Sequence, residues 1–170
     1  MGPEDRQFPE FFTSQYGRLR RLGFLLTGDW AQAEDLAQET LVRVYWRWSL
    51  VRRHAHPEAY ARKVLVNRHR SLLRRLRLEA RHANQARAET VDLGPREQVL
   101  AVQAAIRRLP ARQRAVLILR YHEDLPEREV ARLLRIPVGT VKSSTNRALT
   151  RLRRELRATT DRADSGRTSP

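Results

Sequence analysis

The stretch "IPVGTVKSSTNRAL", residues 136–149, gathers Thr140, Ser143, Ser144 and Asn146 in a chain otherwise crowded with arginine. Small hydroxyl and amide side chains let a helix come close to a base pair and hydrogen-bond to its edge. Lys142, Arg147 and Arg151 stand among and beside them, able to hold phosphates or guanine. This is the chemistry of recognition, and catalytic chemistry has no comparable foothold. Carboxylates sit singly along the chain, no Gly-rich phosphate loop is present, and no histidine pairs with an evident nucleophile. With no cysteine there is no disulfide, thiolate metal site or cysteine nucleophile. The histidines His54, His56, His69, His82 and His122 lack metal-ligand spacing backed by carboxylates. The expectation is a protein that is not an enzyme, with no catalytic residue, metal or cofactor.

Such residues need a helix held at a defined angle. "PEREVARLL", then "RIP", then "VGTVKSSTNRALTRLRREL" reads as helix, short turn, longer helix. Val130 and Leu134 lie four apart, with the small Ala131 where two helices must cross closely. On the second helix Val141, Ala148, Leu149, Leu152 and Leu156 share the buried side. Thr140, Ser143, Asn146 and Arg147 point the other way, flanked by Lys142 and Arg151. A helix-turn-helix requires this division, one face packed on the first helix and the other free for the major groove. The plain alternative is an exposed polar helix in a bundle.

The 170 residues suit one ordinary domain or two small ones, and 41% apolar with 6% aromatic favours small helical units. The net charge of +15 is unevenly spread. Residues 1–50 carry 6 basic and 7 acidic groups, residues 51–91 carry 11 and 3, and residues 92–170 carry 17 and 9. A neutral front before two basic blocks predicts a polyanion partner for the later parts and a different partner for the first. No window approaches a membrane span and no secretory signal opens the chain, so a soluble, cytoplasmic protein without membrane insertion is expected.

Almost every periodic segment reads as helix. Phe8, Phe12, Tyr16, Leu19, Leu22 and Leu26 mark the first, which Gly28 ends, and Asp29 can cap the next. The second runs from about Trp30 to Trp48, the turn-like "SLVRRHAH" follows, and the third begins at Pro57. Residues 80–94 lose periodicity and read as a linker. Three further helical stretches and the longer reading helix follow, and residues 158–170 read as a disordered tail. The fold class is all-α, two small helical domains (1–79 and 95–157) on a flexible linker.

Two more faces stand out. On the second helix Asp35, Gln38, Glu39, Val42 and Trp46 lie opposite the core face of Ala33, Leu36, Ala37, Thr40, Leu41 and Val44. This is either a solvated acidic face with a stray Trp or a protein-docking stripe. On the third, Lys63, Asn67, Arg70 and Arg74 lie opposite Ala61, Val64, Leu65 and Leu72, while Arg68 falls on the apolar side. A row of cations around one Asn suits a phosphate backbone, and a solvated cationic face is the alternative. Upstream, Arg52, Arg53, His54 and His56 crowd a loop near Tyr60, mixing charge with rings that can stack on bases.

Taken in order, these segments resemble the extracytoplasmic-function (ECF) sigma factors of bacterial RNA polymerase, in the sigma-70 family. "AEDLAQETLVRVYWRW" is similar to the polymerase-binding helix and "PEAYARKVLVNRHRSLLRR" to the helix for the −10 promoter element. "LPARQRAVLILRYHEDL" and "EVARLLRIPVGTVKSSTNRAL" are similar to the −35 reader. The form "VNRHRSLLRR" further resembles an actinobacterial, SigE-like subgroup. The resemblance implies a sigma2-like helical bundle and a sigma4-like helix-turn-helix that bind core RNA polymerase through its beta and beta-prime subunits, with an anti-sigma factor as a further candidate partner. It places Asp35, Gln38 and Glu39 on the polymerase and the loop 49–56 around a base flipped from the −10 element. Asn67, Lys63 and Arg70 fall at that element, Arg114 near the −35 backbone, and Thr140, Lys142, Ser143, Asn146 and Arg147 in the recognition helix. Ser71 and Ser144 stand where the family often has Asp and Arg, and Pro126 and Pro137 where Ser often caps. A sigma-like regulator that binds promoter DNA without programming polymerase is the alternative.

Overall fold

The computed structural model describes residues 3–82 and 97–165, with side chains placed over 7–78 and 102–157. It contains α1 (Pro3–Thr27), α2 (Trp30–Tyr45), α3 (Trp48–Val51) and α4 (Pro57–His82), then α5 (Glu97–Arg108), α6 (Ala111–Tyr121), α7 (Glu127–Leu134) and α8 (Val138–Ser165). The chain divides into two units after Ala86, each with its own core. No strand occurs among the described residues.

In the first unit α1 and α2 form a hairpin. Gly28 takes φ 81°, a left-handed conformation that glycine adopts without a Cβ clash, and its amide donates to the Phe24 carbonyl at 2.7 Å. The Asp29 carboxylate then caps α2 by accepting from the Gln32 amide at 2.8 Å. Leu19, Leu22 and Leu26 face Leu36, Leu41 and Val44 in the core, closed by Ala61, Leu65 and Val66 of α4. His69 also lies in this core, at 1% exposure. The outer seam of the hairpin is aromatic: Phe24 stacks on Trp30 at 4.0 Å, and Arg20 lies 4.7 Å over the same indole.

The second helix ends earlier than its periodicity predicts. A turn at Trp46 and Arg47 separates α2 from α3, and part of the turn-like stretch after it is helical. The break lets Trp48 turn inward, where its ring lies 5.3 Å from Phe8 and 5.0 Å from Phe11. Aromatic burial on α1 therefore outweighs continuation of the helix.

In the second unit α8 packs on α5, α6 and α7. Leu109, Leu117 and Ala148 form one cluster with Ile106, Leu149 and Leu152 against it. Pro110, Pro126 and Pro137 precede α6, α7 and α8, and none offers a side-chain cap. Their carbonyls instead accept from Arg114 (3.0 Å), from Glu129 and Val130 (2.9 and 3.1 Å), and from Thr140 and Val141 (2.9 and 3.2 Å). Both uncapped starts noted above, Pro126 and Pro137, form helix. α7 ends with Arg135 at φ 53°, the Ile136 amide reaching the Ala131 carbonyl at 3.1 Å and the Arg135 amide reaching Arg132 at 3.3 Å. That pair of bonds is a Schellman motif with arginine in glycine's usual place.

Of the expected linker, residues 80–82 belong to α4 and 83–94 lie outside the described residues. Of the expected tail, residues 158–165 continue α8, and 166–170 lie outside the described residues. Between 158 and 165 the chain has no apolar face, but it also has no glycine or proline before Gly166, so nothing breaks a helix already nucleated upstream.

Two substitutions probe these joints. A Cβ on Gly23 would lie 3.0 Å from the Ala33 Cα and 3.1 Å from its carbonyl oxygen. Gly23→Ala is therefore expected to destabilise the first unit by about 1–2 kcal/mol in urea unfolding, crowding outweighing the gain in helix propensity. Arg135→Gly is expected to stabilise the second unit by about 0.5–1 kcal/mol, read as a higher melting temperature.

Candidate protein-docking and nucleic-acid interfaces

On α2 the whole predicted stripe is at the surface. Asp35, Gln38 and Glu39 are exposed, Val42 is 47% exposed and Trp46 73%. The six residues predicted to oppose it are all buried. Two apolar neighbours escaped the periodic reading, Tyr45 and Leu50, both more than half exposed. Tyr45 stands three residues after Val42 and so continues the stripe, while Leu50 lies in α3 beyond the turn. An exposed apolar strip rimmed by carboxylates has the make-up of a protein contact.

Glu39 is also tied to α4. Arg68 donates to its carboxylate through both Nε and Nη2, both to Oε2. The cation that fell on the apolar side of the third helix is thus the bridge between α2 and α4. A shallow groove of about 310 Å³ runs beside it, lined by Asp35, Leu36, Glu39, Arg68, Leu72 and Arg75 among others.

On the other side of α4, Lys63 and Arg74 are exposed, while Asn67 and Arg70 are half-buried. Arg70 Nη1 donates to Asn67 Oδ1 at 3.4 Å, so the amide is oriented within its row of cations. In the preceding loop Arg53, His54 and His56 are exposed, and Arg52 and Tyr60 half-buried. The His54 and Tyr60 rings lie 6.2 Å apart and within 8° of parallel. His56 Nδ1 sits 3.2 Å from Glu58 Oε1 across the start of α4.

In the second unit, α7, the turn at 135–137 and α8 make the helix-turn-helix. Val130, Ala131 and Leu134 are buried on one helix, Val141 and Ala148 on the other. Lys142, Asn146, Arg147 and Arg151 are exposed, and Thr140 and Ser143 half-buried. The Ser143 hydroxyl donates to the Thr140 carbonyl at 3.2 Å, and Lys142 Nζ lies 3.9 Å from Glu127 Oε2 of α7. Thr150 and Arg153 continue the row of Asn146 along α8, both exposed and both missed because the sequence reading stopped with the motif.

Two predicted residues are drawn into the packing of the second unit. Ser144, grouped above with the base-facing residues, is 5% exposed and belongs to the packed side of α8. Ser144 stands three residues after Val141 and four before Ala148, both fully buried, so it falls on the side of α8 that packs on its neighbours. Arg114 is half-buried on α6, and its Nη1 donates to the Arg107 carbonyl at 2.9 Å, in the last turn of α5. Burial pushes its guanidinium below the ordinary arginine value. Its bond satisfies a helix-end carbonyl, a structural task. Arg114→Gln is expected to cost the second unit about 1–2 kcal/mol in urea unfolding. Asn146→Ala, at an exposed site, should change that midpoint by less than about 0.5 kcal/mol.

Two separate helical units, one with an amphipathic docking strip beside a cationic helix and one with a basic helix-turn-helix, define a modular DNA-binding protein with a protein partner. Residues 11–79 match the family model described as Sigma-70 region 2, and residues 100–152 match that of Sigma-70, region 4. The chain is 33% identical over 88% of its length to the RNA polymerase sigma-E factor of Streptomyces avermitilis, spanning 85% of that protein. It is 29% identical over 88% to the ECF RNA polymerase sigma factor SigM of Mycobacterium tuberculosis, spanning 76% of it. The sigma factor RpoE of Bartonella quintana, solved with the anti-sigma factor NepR, has the same fold, with TM-score 0.73 and 24% identity over 89% of this chain and 98% of that one. The chain belongs to the sigma-70 family, as an ECF-type RNA polymerase sigma factor.

Proposed function

We propose that this sigma factor programs transcription by dividing three tasks among the surfaces described above. It binds core RNA polymerase and directs initiation at specific promoters, a role that involves no bond-making by the chain itself. The α2 stripe of Asp35, Gln38, Glu39, Val42 and Trp46 docks on the beta and beta-prime subunits. Arg52, Arg53, His54, His56, Tyr60, Lys63, Asn67, Arg70 and Arg74 engage the −10 element, where parallel rings and an oriented amide suit an unpaired base. Thr140, Lys142, Ser143, Asn146, Arg147 and Arg151 meet the −35 element in the major groove. An anti-sigma factor that covers these surfaces is a candidate restraint. The site of action is the cytoplasm, in keeping with the lack, among the described residues, of any helix long and apolar enough to cross a membrane.

The observation that carries the reading is the pairing of an exposed apolar-acidic stripe on α2 with two cationic faces, within a chain that matches both family regions in order. The test is run-off transcription with purified actinobacterial core polymerase on templates randomised at −10 and −35. Wild type is expected to give specific transcripts, and Asp35→Arg/Glu39→Arg to lose them. On the promoter so found, Arg147→Ala should cost about 1–3 kcal/mol of −35-dependent binding and relax selection there. No transcript from wild type, together with tight duplex binding in the absence of polymerase, would make the chain a DNA-binding regulator instead.

A further inference from the structure

The outer side of α7 and the turn after it carry three arginines whose side chains none of the surfaces above employs. Arg128, Arg132 and Arg135 are exposed at i, i+4 and i+7, and none has an ion-pair partner among the described residues. Two carboxylates flank Arg128: Glu127 lies 3.9 Å from Lys142, and Glu129 has an interaction of its own. The arginines rim an open hollow of about 770 Å³ floored by Ala131, Ile136 and Val138, the last 37% exposed. None of Ser143, Asn146 and Arg147 lines it, so it is a surface apart from the reading face.

Arg135 gives this surface a second mark. It holds φ 53° at the end of α7, where glycine would sit without strain. Side chains kept at such positions against local preference tend to serve a site rather than the fold. Here the left-handed turn sets the third guanidinium at the lip of the hollow.

We propose that this hollow docks an acidic amphipathic helix of a protein partner. Arg128 and Arg132 lie one turn apart on α7 with Arg135 just past its end, and such a run of cations can pair with carboxylates set a turn apart on a facing helix. The apolar floor then takes one aliphatic side chain from between them, the usual anchor of helix-in-groove binding. A phosphate backbone would match the charge but leave the floor without a partner, which is why the observations favour a polypeptide over DNA.

The probe is a synthetic helix-favouring peptide with glutamates at i, i+4 and i+7 and one leucine between them, labelled for fluorescence anisotropy and titrated with the full-length chain. Arg132→Ser and Arg135→Gly are each expected to weaken it about threefold to fivefold, the size of an exposed ion pair. Replacing the peptide leucine by serine should weaken it by about tenfold. Arg135→Gly is informative because it is expected to melt higher than wild type while binding less, which a folding defect does not produce. Unchanged affinity in the arginine variants, or equal binding of the serine peptide, overturns the proposal. So does a loss of promoter-duplex affinity in Arg128→Ser/Arg132→Ser as large as the loss of peptide binding, which would assign the face to phosphates.

Discussion

The constraint on which the second unit depends is that one helix must be core and reader at once. α8 gives Val141, Ser144, Thr145 and Ala148 to the interior, and α5, α6 and α7 all pack on it. What remains outward is a strip that carries Thr140, Lys142, Ser143, Asn146, Arg147 and Arg151. The limit is steric: each additional helix that stabilises α8 narrows the strip available for base edges. Arg114, which the family resemblance places near the −35 backbone, also serves this packing by holding the end of α5.

The first unit meets a comparable demand in another way. Its core is closed by a crossing of α1 and α2 tight enough that Gly23 lies against the Ala33 backbone. With two helices locked there, the outward side of α2 is free to carry a stripe that the core does not need. Arg68 fastens that stripe to α4, so the helix that carries the stripe and the cationic helix share an ion pair as well as a core. Exposed pairs add little stability, and the value of this one lies in fixing the orientation of a surface carboxylate.

The sequence made some of this legible and left the rest hidden for physical reasons. The two faces of α2 could be read because a helix repeats every 3.6 residues and the six core positions obey that period. The Glu39–Arg68 pair could not, because its members are 29 residues apart and meet only once two helices pack. The burial of Ser144 was available in the period, three residues after Val141 and four before Ala148, and its small polar side chain drew it into the base-facing set instead. The end of α2 was misplaced because Trp48 obeys the aromatic cluster on α1 rather than the local helical pattern. The helical stretch after 157 was missed because its composition is polar, a criterion that detects independent folding and not the extension of an existing helix.

The three prolines that start α6, α7 and α8 act on a state the folded chain does not display. Each locks its own φ and restricts the residue before it, so the disordered polypeptide has fewer conformations to lose at these boundaries. A serine cap would add a bond to the native form; these prolines subtract freedom from the denatured ensemble. The ends of the reading module are thereby marked before any tertiary contact is made, by stiffness written into the unfolded chain.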